Sequence, residues 1–186
     1  SLHRTLYVTD VLANALNRGG DTVLITLDDG TTLSIDDVRD ETSRFVQALA
    51  ALGITRGNRV GLLSPNRPEV LHVSHAVQLS GALYLALHPM GSLSDHLAIL
   101  HDADLDLLII DPAAYGARAE AIADAMPTLA MAAMGPHAHF HDILVLAESF
   151  TPERLTPPPV SGDDIIRLAY SGGTTVLGGT LTGTTT

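Results

Sequence analysis

The chain has no lysine, no cysteine and no tryptophan: all 10 of its basic residues are arginines, against 21 acids, for a formal net charge of -11 over 186 residues. Each absence removes a class of function. Without cysteine there is neither a disulfide framework nor a thiolate metal site. Without lysine there is no Walker loop, which requires G-x-x-x-x-G-K-[ST]. The scarcity of positive charge argues against nucleic acid, whose binding is dominated by cationic contacts to phosphate. An aromatic content of 4% is also too thin for a base-stacking platform. A small phosphorylated ligand is a different matter, because backbone N–H groups and a magnesium ion hold a nucleotide whatever the global charge. No apolar run approaches the ~20 residues that cross a bilayer, and the opening "SLHRTLYVTD" lacks the apolar core of a signal peptide. A soluble, cytoplasmic protein is the expectation.

At 46% hydrophobic, the chain suits one domain with a sizeable core. Helical spacing runs through 9–18, with Thr9 or Asp10 as the cap. Two short strands follow, joined at Asp29-Gly30, a strong hairpin signal. Ile35, Val38, Thr42, Phe45, Val46, Leu49 and Leu52 recur at three and four. That is one helix face, opened by a Ser34/Asp37 capping box and closed by Gly53. "RVGLLSP" (59–65) predicts a buried parallel strand, and Pro68 starts a helix that ends at Gly81. The alternation continues with a strand at 82–87, a helix capped by Ser92 or Ser94, and a strand at 105–111. Pro112 then opens a helix, and "DILVLAES" (142–149) is a further strand candidate. The proline-rich 151–162 predicts an extended linker, and 163–171 a last strand. Strands alternating with helices over short connections imply an α/β fold, a parallel sheet flanked by helices, with a small N-terminal hairpin.

In such sheets ligands bind beyond the carboxyl ends of strands, which is where "SGGTT" (171–175) falls. Gly172 and Gly173 let a ligand approach the backbone with no Cβ in the way. Successive N–H groups there converge on an anion, and Ser171, Thr174 and Thr175 add hydroxyl donors. Elsewhere the chemistry is thinner. His137, His139 and His141 alternate, so on a strand they would share one face beside Asp142, a zinc or nickel set weighed against incidental loop histidines. His72 and His75, three apart on a predicted helix, read as packed histidines. The acid pairs Asp28-Asp29, Asp36-Asp37 and Asp163-Asp164 read as turn and capping residues. Ser64 and Ser74 lack a nucleophile-elbow context.

"YSGGTT" resembles the phosphate-loop signature of the adenylate-forming (AMP-binding) superfamily, Y-[TS]-[SG]-G-[ST]-T-G-x-P-K-G. The stretches "LSIDDVRDETSRFVQALAALGITRGNRV", "SPNRPEV", "SGALYLALHP" and "SLSDHLAILHDADLDLLIID" are similar, in order and spacing, to the opening of that superfamily's large N-terminal domain. The likeness covers about residues 20 to 175 and is fatty-acyl-CoA synthetase-like. It implies ATP, Mg2+ and coenzyme A as the parent enzyme's cofactors and a fatty acid as its substrate. The reaction it implies joins a carboxylate to ATP as an acyl-adenylate and then makes a thioester with coenzyme A. Ser171, Gly172, Gly173, Thr174 and Thr175 are the positions that match the phosphate loop.

The match stops there. Val176 stands where the signature has glycine, the loop lysine is absent, and "TVLGGTLTGTTT" is of low complexity. The organisation expected is a partial N-terminal domain over 1–175 and a low-complexity tail over 176–186. The expectation is an N-terminal fragment of an acid-thiol ligase that is not competent alone and associates with itself through exposed sheet edges. The competing reading is a non-enzymatic nucleotide-binding or assembly module on the same fold. A flavodoxin-like redox domain has no aromatic flavin sandwich to recommend it.

Overall fold

The computed structural model describes residues 8–159 and the backbone of residues 167 and 168. Helix α1 (Val8–Arg18) precedes an antiparallel hairpin of β1 (Val23–Thr26) and β2 (Thr32–Ser34). The hairpin turns where the sequence says: Gly30 takes φ 84°, and Asp29 Oδ1 accepts the Thr31 N–H at 2.9 Å. Helix α2 (Ile35–Ala51) then leads to β3 (Arg59–Leu63), α3 (Pro68–Leu79) and β4 (Leu83–Ala86). Next come α4 (Leu93–Ala103), β5 (Leu107–Ile110), α5 (Pro112–Ala125) and β6 (Ala130–Ala133). The described chain closes with β7 (His141–Asp142), α6 (Ile143–Glu148) and β8 (Arg167–Leu168).

Strands β3 to β8 form one six-stranded sheet in the order β7-β6-β5-β3-β4-β8, and every neighbouring pair is parallel. Period-2 alternation divides its side chains between two covered faces. Val60, Leu62, Tyr84, Ile109 and Ala132 pack against Phe45 and Leu49 of α2, Val73 and Val77 of α3 and Ile143 of α6. Leu63, Leu85, Leu108, Ile110 and Ala133 face the other way, against Leu100 of α4 and Ile122 of α5. Both capping boxes are complete: Ser34 with Asp37 opens α2, and Ser92 with Asp95 opens α4. Pro68 and Pro112 occupy the first turns of their helices.

Four details differ from the sequence reading. Residues 142–149 are not a strand. Asp142 caps α6, its Oδ1 accepting the Leu144 and Val145 N–H groups, and the helical period buries Ile143 and Ala147 while Val145 stays 63% exposed. A strand would have turned all three the same way. The missing strand is instead "AMAA", β6, whose alanines carry little β signal and are recruited by pairing with β5. Thr9 and Asp10 are not caps, because α1 already includes Val8 and buries both residues in its first turn. Residues 151–159 lie outside any sheet, as expected, yet they are stapled down. Leu155 N–H donates to Asn17 Oδ1 at 3.0 Å, Asn17 Nδ2 donates to the Leu155 carbonyl at 2.7 Å, and Glu153 N–H donates to Ser43 Oγ at 2.7 Å.

Candidate functional site

The order of the strands creates a crevice. From β3 the chain runs through α3 to β4 on one side, and from β4 through α4 on the opposite face to β5 on the other side. The connections therefore part at the carboxyl ends of β3 and β5, the place where open α/β sheets take ligands.

Arg67, just past β3, spans that point. Its Nη1 donates to Asp111 Oδ2 at 2.8 Å and to the Met134 carbonyl at 3.1 Å, and its Nε donates to Glu69 Oε2 at 2.8 Å. One guanidinium thus ties the ends of β3, β5 and β6. Its hydrogen bond to Glu69 raises its affinity for its proton further, against burial and with help from Asp111. The same bond to Arg67 holds the Glu69 carboxyl below its ordinary value. Burial alone would raise Asp111, but the Ala114 N–H and Arg67 outweigh it and keep that carboxyl low as well. The result is a neutralised, rigid cluster at the sheet's edge, with no cation left over for a ligand. Sequence reasoning missed it, although an arginine and an aspartate each standing before a proline at a strand's carboxyl end are a visible signal.

Beside this cluster, a cleft of about 760 Å³ runs between the hairpin tip and α3. Ile25, Leu27, Val70, Leu71, Tyr84 and Ala86 form its apolar walls, with Asp28, Asp29, Asn66 and Arg67 among its polar lining. After β4, the turn at residues 88–91 is held by side chains from α4 and α5.

The sequence-derived phosphate loop, Ser171, Gly172, Gly173, Thr174 and Thr175, lies outside the described residues. What the structure places is its approach: β8 is parallel to β4, with Tyr84 opposite Arg167 and Leu85 opposite Leu168, and Ala169 and Tyr170 are all that separate Leu168 from Ser171 in the chain. The histidines do not assemble a metal site. His141 sits in β7, while the His137 ring stacks on Phe140 at 4.4 Å and meets His139 edge-on. Among the described residues no group of three or more histidines and acids converges on a cation. His72 and His75 are packed residues, with His72 stacked on Phe45 of α2. Ser34, Asp37 and Asp29 do turn and capping work, as their spacing implied. Among the described residues no helix is long and apolar enough to cross a membrane.

Comparison with known proteins agrees with this architecture. The chain is 38% identical over 172 residues to the medium/long-chain-fatty-acid–CoA ligase FadD8 of Mycobacterium tuberculosis, a match covering 89% of this chain and 30% of that protein. The anthranilate CoA ligase AuaEII, solved in complex with anthranoyl-AMP, superposes at a TM-score of 0.82 with 22% identity, over 92% of this chain and 34% of that one. ATP-bound MatB from Rhodopseudomonas palustris gives 0.74 and 23% over 88% of this chain and 33% of that one. These two share the fold, and the chain spans about a third of the length of each relative. The AMP-binding enzyme model matches residues 12–177, from the second turn of α1 to just beyond "YSGGTT", and on that match the chain belongs to the AMP-binding enzyme family.

Proposed function

We propose that this chain is the N-terminal portion of an ATP-dependent fatty-acyl-CoA ligase, and that residues 171–175 hold the phosphates of ATP. The observation that carries the reading is β8: a strand parallel to β4 delivers "YSGGTT" to the carboxyl edge of the sheet. Similarity to a fatty-acid–CoA ligase over 89% of the chain supports the substrate class. In the reaction, a carboxylate oxygen bonds to the α-phosphorus of ATP, the α–β phosphoanhydride breaks, and pyrophosphate leaves with the bonding pair. The acyl-adenylate then passes its acyl group to the thiol of coenzyme A, releasing AMP. Amides and hydroxyls fixed around the departing phosphates stabilise the charge that builds there, the role we assign to Ser171, Gly172, Gly173, Thr174 and Thr175. The described residues supply no converging ligands for Mg2+, so no step is assigned through it here. Coenzyme A and ATP place the reaction in the cytoplasm.

Carboxylate-dependent exchange of labelled pyrophosphate into ATP tests this reading. The 186 residues alone, about 30% of the length of the FadD8 relative, are expected to give none. A polypeptide continuing through the rest of the ligase is expected to exchange, and Thr174→Ala should lower its rate about 100-fold, as loss of one preorganised donor does. Exchange indifferent to carboxylate, or to Thr174→Ala, would overturn the reading.

A further inference from the structure

The turn at residues 88–91 is braced more heavily than a strand-to-helix connection requires. His96, fully buried on α4, contacts the His88 carbonyl through Nε2 at 2.8 Å. Tyr115 Oη donates to the Pro89 carbonyl at 2.9 Å, and Arg118 Nη1 donates to the Gly91 carbonyl at 2.9 Å. Arg118 Nη1 also meets His96 Nδ1 at 2.9 Å. A guanidinium has only protons to give, so Nδ1 accepts; the proton of a neutral ring then sits on Nε2 and points at His88. Helix α5 departs from helical geometry at Tyr115 (φ -129°, ψ 18°), the residue whose hydroxyl reaches the turn. Gly91 packs so closely on His96 that a Cβ there would lie 2.5 Å from Nε2.

The N–H groups of the turn are committed too. Met90 N–H donates to His88 Nδ1, Gly91 N–H to the His88 carbonyl, and Ser92 N–H to Asp95 Oδ2. Residues 88–92 contain no acid and no arginine, and Arg118 is turned inward. The turn therefore offers an anion nothing. What it does offer is Met90, 86% exposed, whereas Met134 is buried and Met126 and Met131 are packed against the core. A methionine on a fixed backbone is an adaptable apolar contact without the cost of ordering a mobile loop. The turn leaves the same edge as the chain leading to Ser171, because β4 and β8 are parallel neighbours, about 4.8 Å apart.

We propose that Met90 is a specificity contact for the apolar chain of the carboxylate substrate, and that His96 is the positioning residue that holds it there. The substrate half of this rests on the ligase reading above. The positioning half does not.

Two arms separate them. In the 186-residue chain, His96→Ala should speed amide hydrogen exchange at Met90 and Gly91 at least tenfold while β3 and β5 stay protected, and His96→Gln, which still donates to His88, should recover most of that protection. Imidazole nitrogen shifts should report the Nε2–H tautomer in the unsubstituted chain, a signature that does not depend on any variant folding. Unchanged exchange in His96→Ala, or the opposite tautomer, overturns the positioning role. In the full-length ligase, Met90→Ala should raise KM for long-chain acids about tenfold, leaving KM for ATP and for short acids unaltered. A Met90→Ala enzyme with unchanged KM at every chain length overturns the substrate contact while leaving the ligase reading intact. A full-length enzyme with no carboxylate-dependent exchange sinks both.

Discussion

Asp111 joins two tasks that the sequence shows separately. One oxygen accepts the Ala114 N–H and starts α5, and the other accepts from Arg67, 44 positions earlier in the chain. The first task is legible, since Asp before Pro at a strand's end reads as a cap. The second is not, because only the fold brings Arg67 alongside. The same holds for the buried histidines of α3, whose spacing suggests packing but not its consequence. His72 is 4% exposed, and no hydrogen-bond partner reaches Nδ1 of His72 or of His75 among the described residues. Desolvation pushes both imidazoles below the ordinary 6.5; the neighbouring His75 lowers His72 further, and Glu69 opposes in part. Their folded-state affinity for a proton is thus below the unfolded value, so protons favour the unfolded chain. The stability they permit is complete above about pH 6.5 and falls as pH drops through that value toward the lowered ones. Urea midpoints at pH 7.5 and 5.5 measure this. We expect a lower midpoint at pH 5.5, and a smaller difference in His72→Leu/His75→Leu. A difference unchanged by both substitutions would assign the effect to other groups.

At the scale of elements, most boundaries were legible because local chemistry and tertiary packing agree. Ser92 illustrates this: its Oγ accepts the Asp95 N–H at 3.1 Å while Asp95 Oδ2 accepts the Ser92 N–H at 3.0 Å, satisfying two groups that the start of α4 would otherwise leave open. Ser92→Ala should cost about 1 kcal/mol of stability by chemical denaturation, and Ser92→Thr much less. An equal loss from both would mean that the hydroxyl is not the cap. Where local and tertiary signals part, the reading failed. "ILVLA" alternates as well as it spirals, and only the Asp142 cap together with the exposure of Val145 decides for a helix. "AMAA" has no β-branched residue and becomes a strand because Leu107 to Ile110 supply a ladder for it. The phosphate loop was legible as a motif, and its surroundings were not. The braced turn at 88–91 depends on Tyr115 and Arg118, which sit one and a half elements away in sequence and carry no motif of their own.

For the molecule as a whole, the open question is which edge is exposed to pairing. The large sheet ends in β7 and β8, each two residues long, too short to template an added strand. The hairpin is different. β1 reads "VLIT", carries no charge, and pairs among the described residues only with β2, leaving its other edge free. Val23 is 51% and Leu24 50% exposed on it, and Val8 and Val11 of α1 are also exposed. An uncharged edge beside apolar side chains is the usual start of strand-to-strand association. The self-association expected from the sequence therefore belongs to the hairpin rather than to the parallel sheet. The net charge of -11 opposes it through like-charge repulsion, which salt screens. Light scattering over a range of concentrations should show mass rising with concentration, more steeply in high salt than in low. Leu24→Lys should hold the chain monomeric in both, since a lysine on the edge blocks the addition of a strand. A monomer at every concentration and salt would show that the hairpin edge does not pair, and association that survives Leu24→Lys would move the contact to another surface.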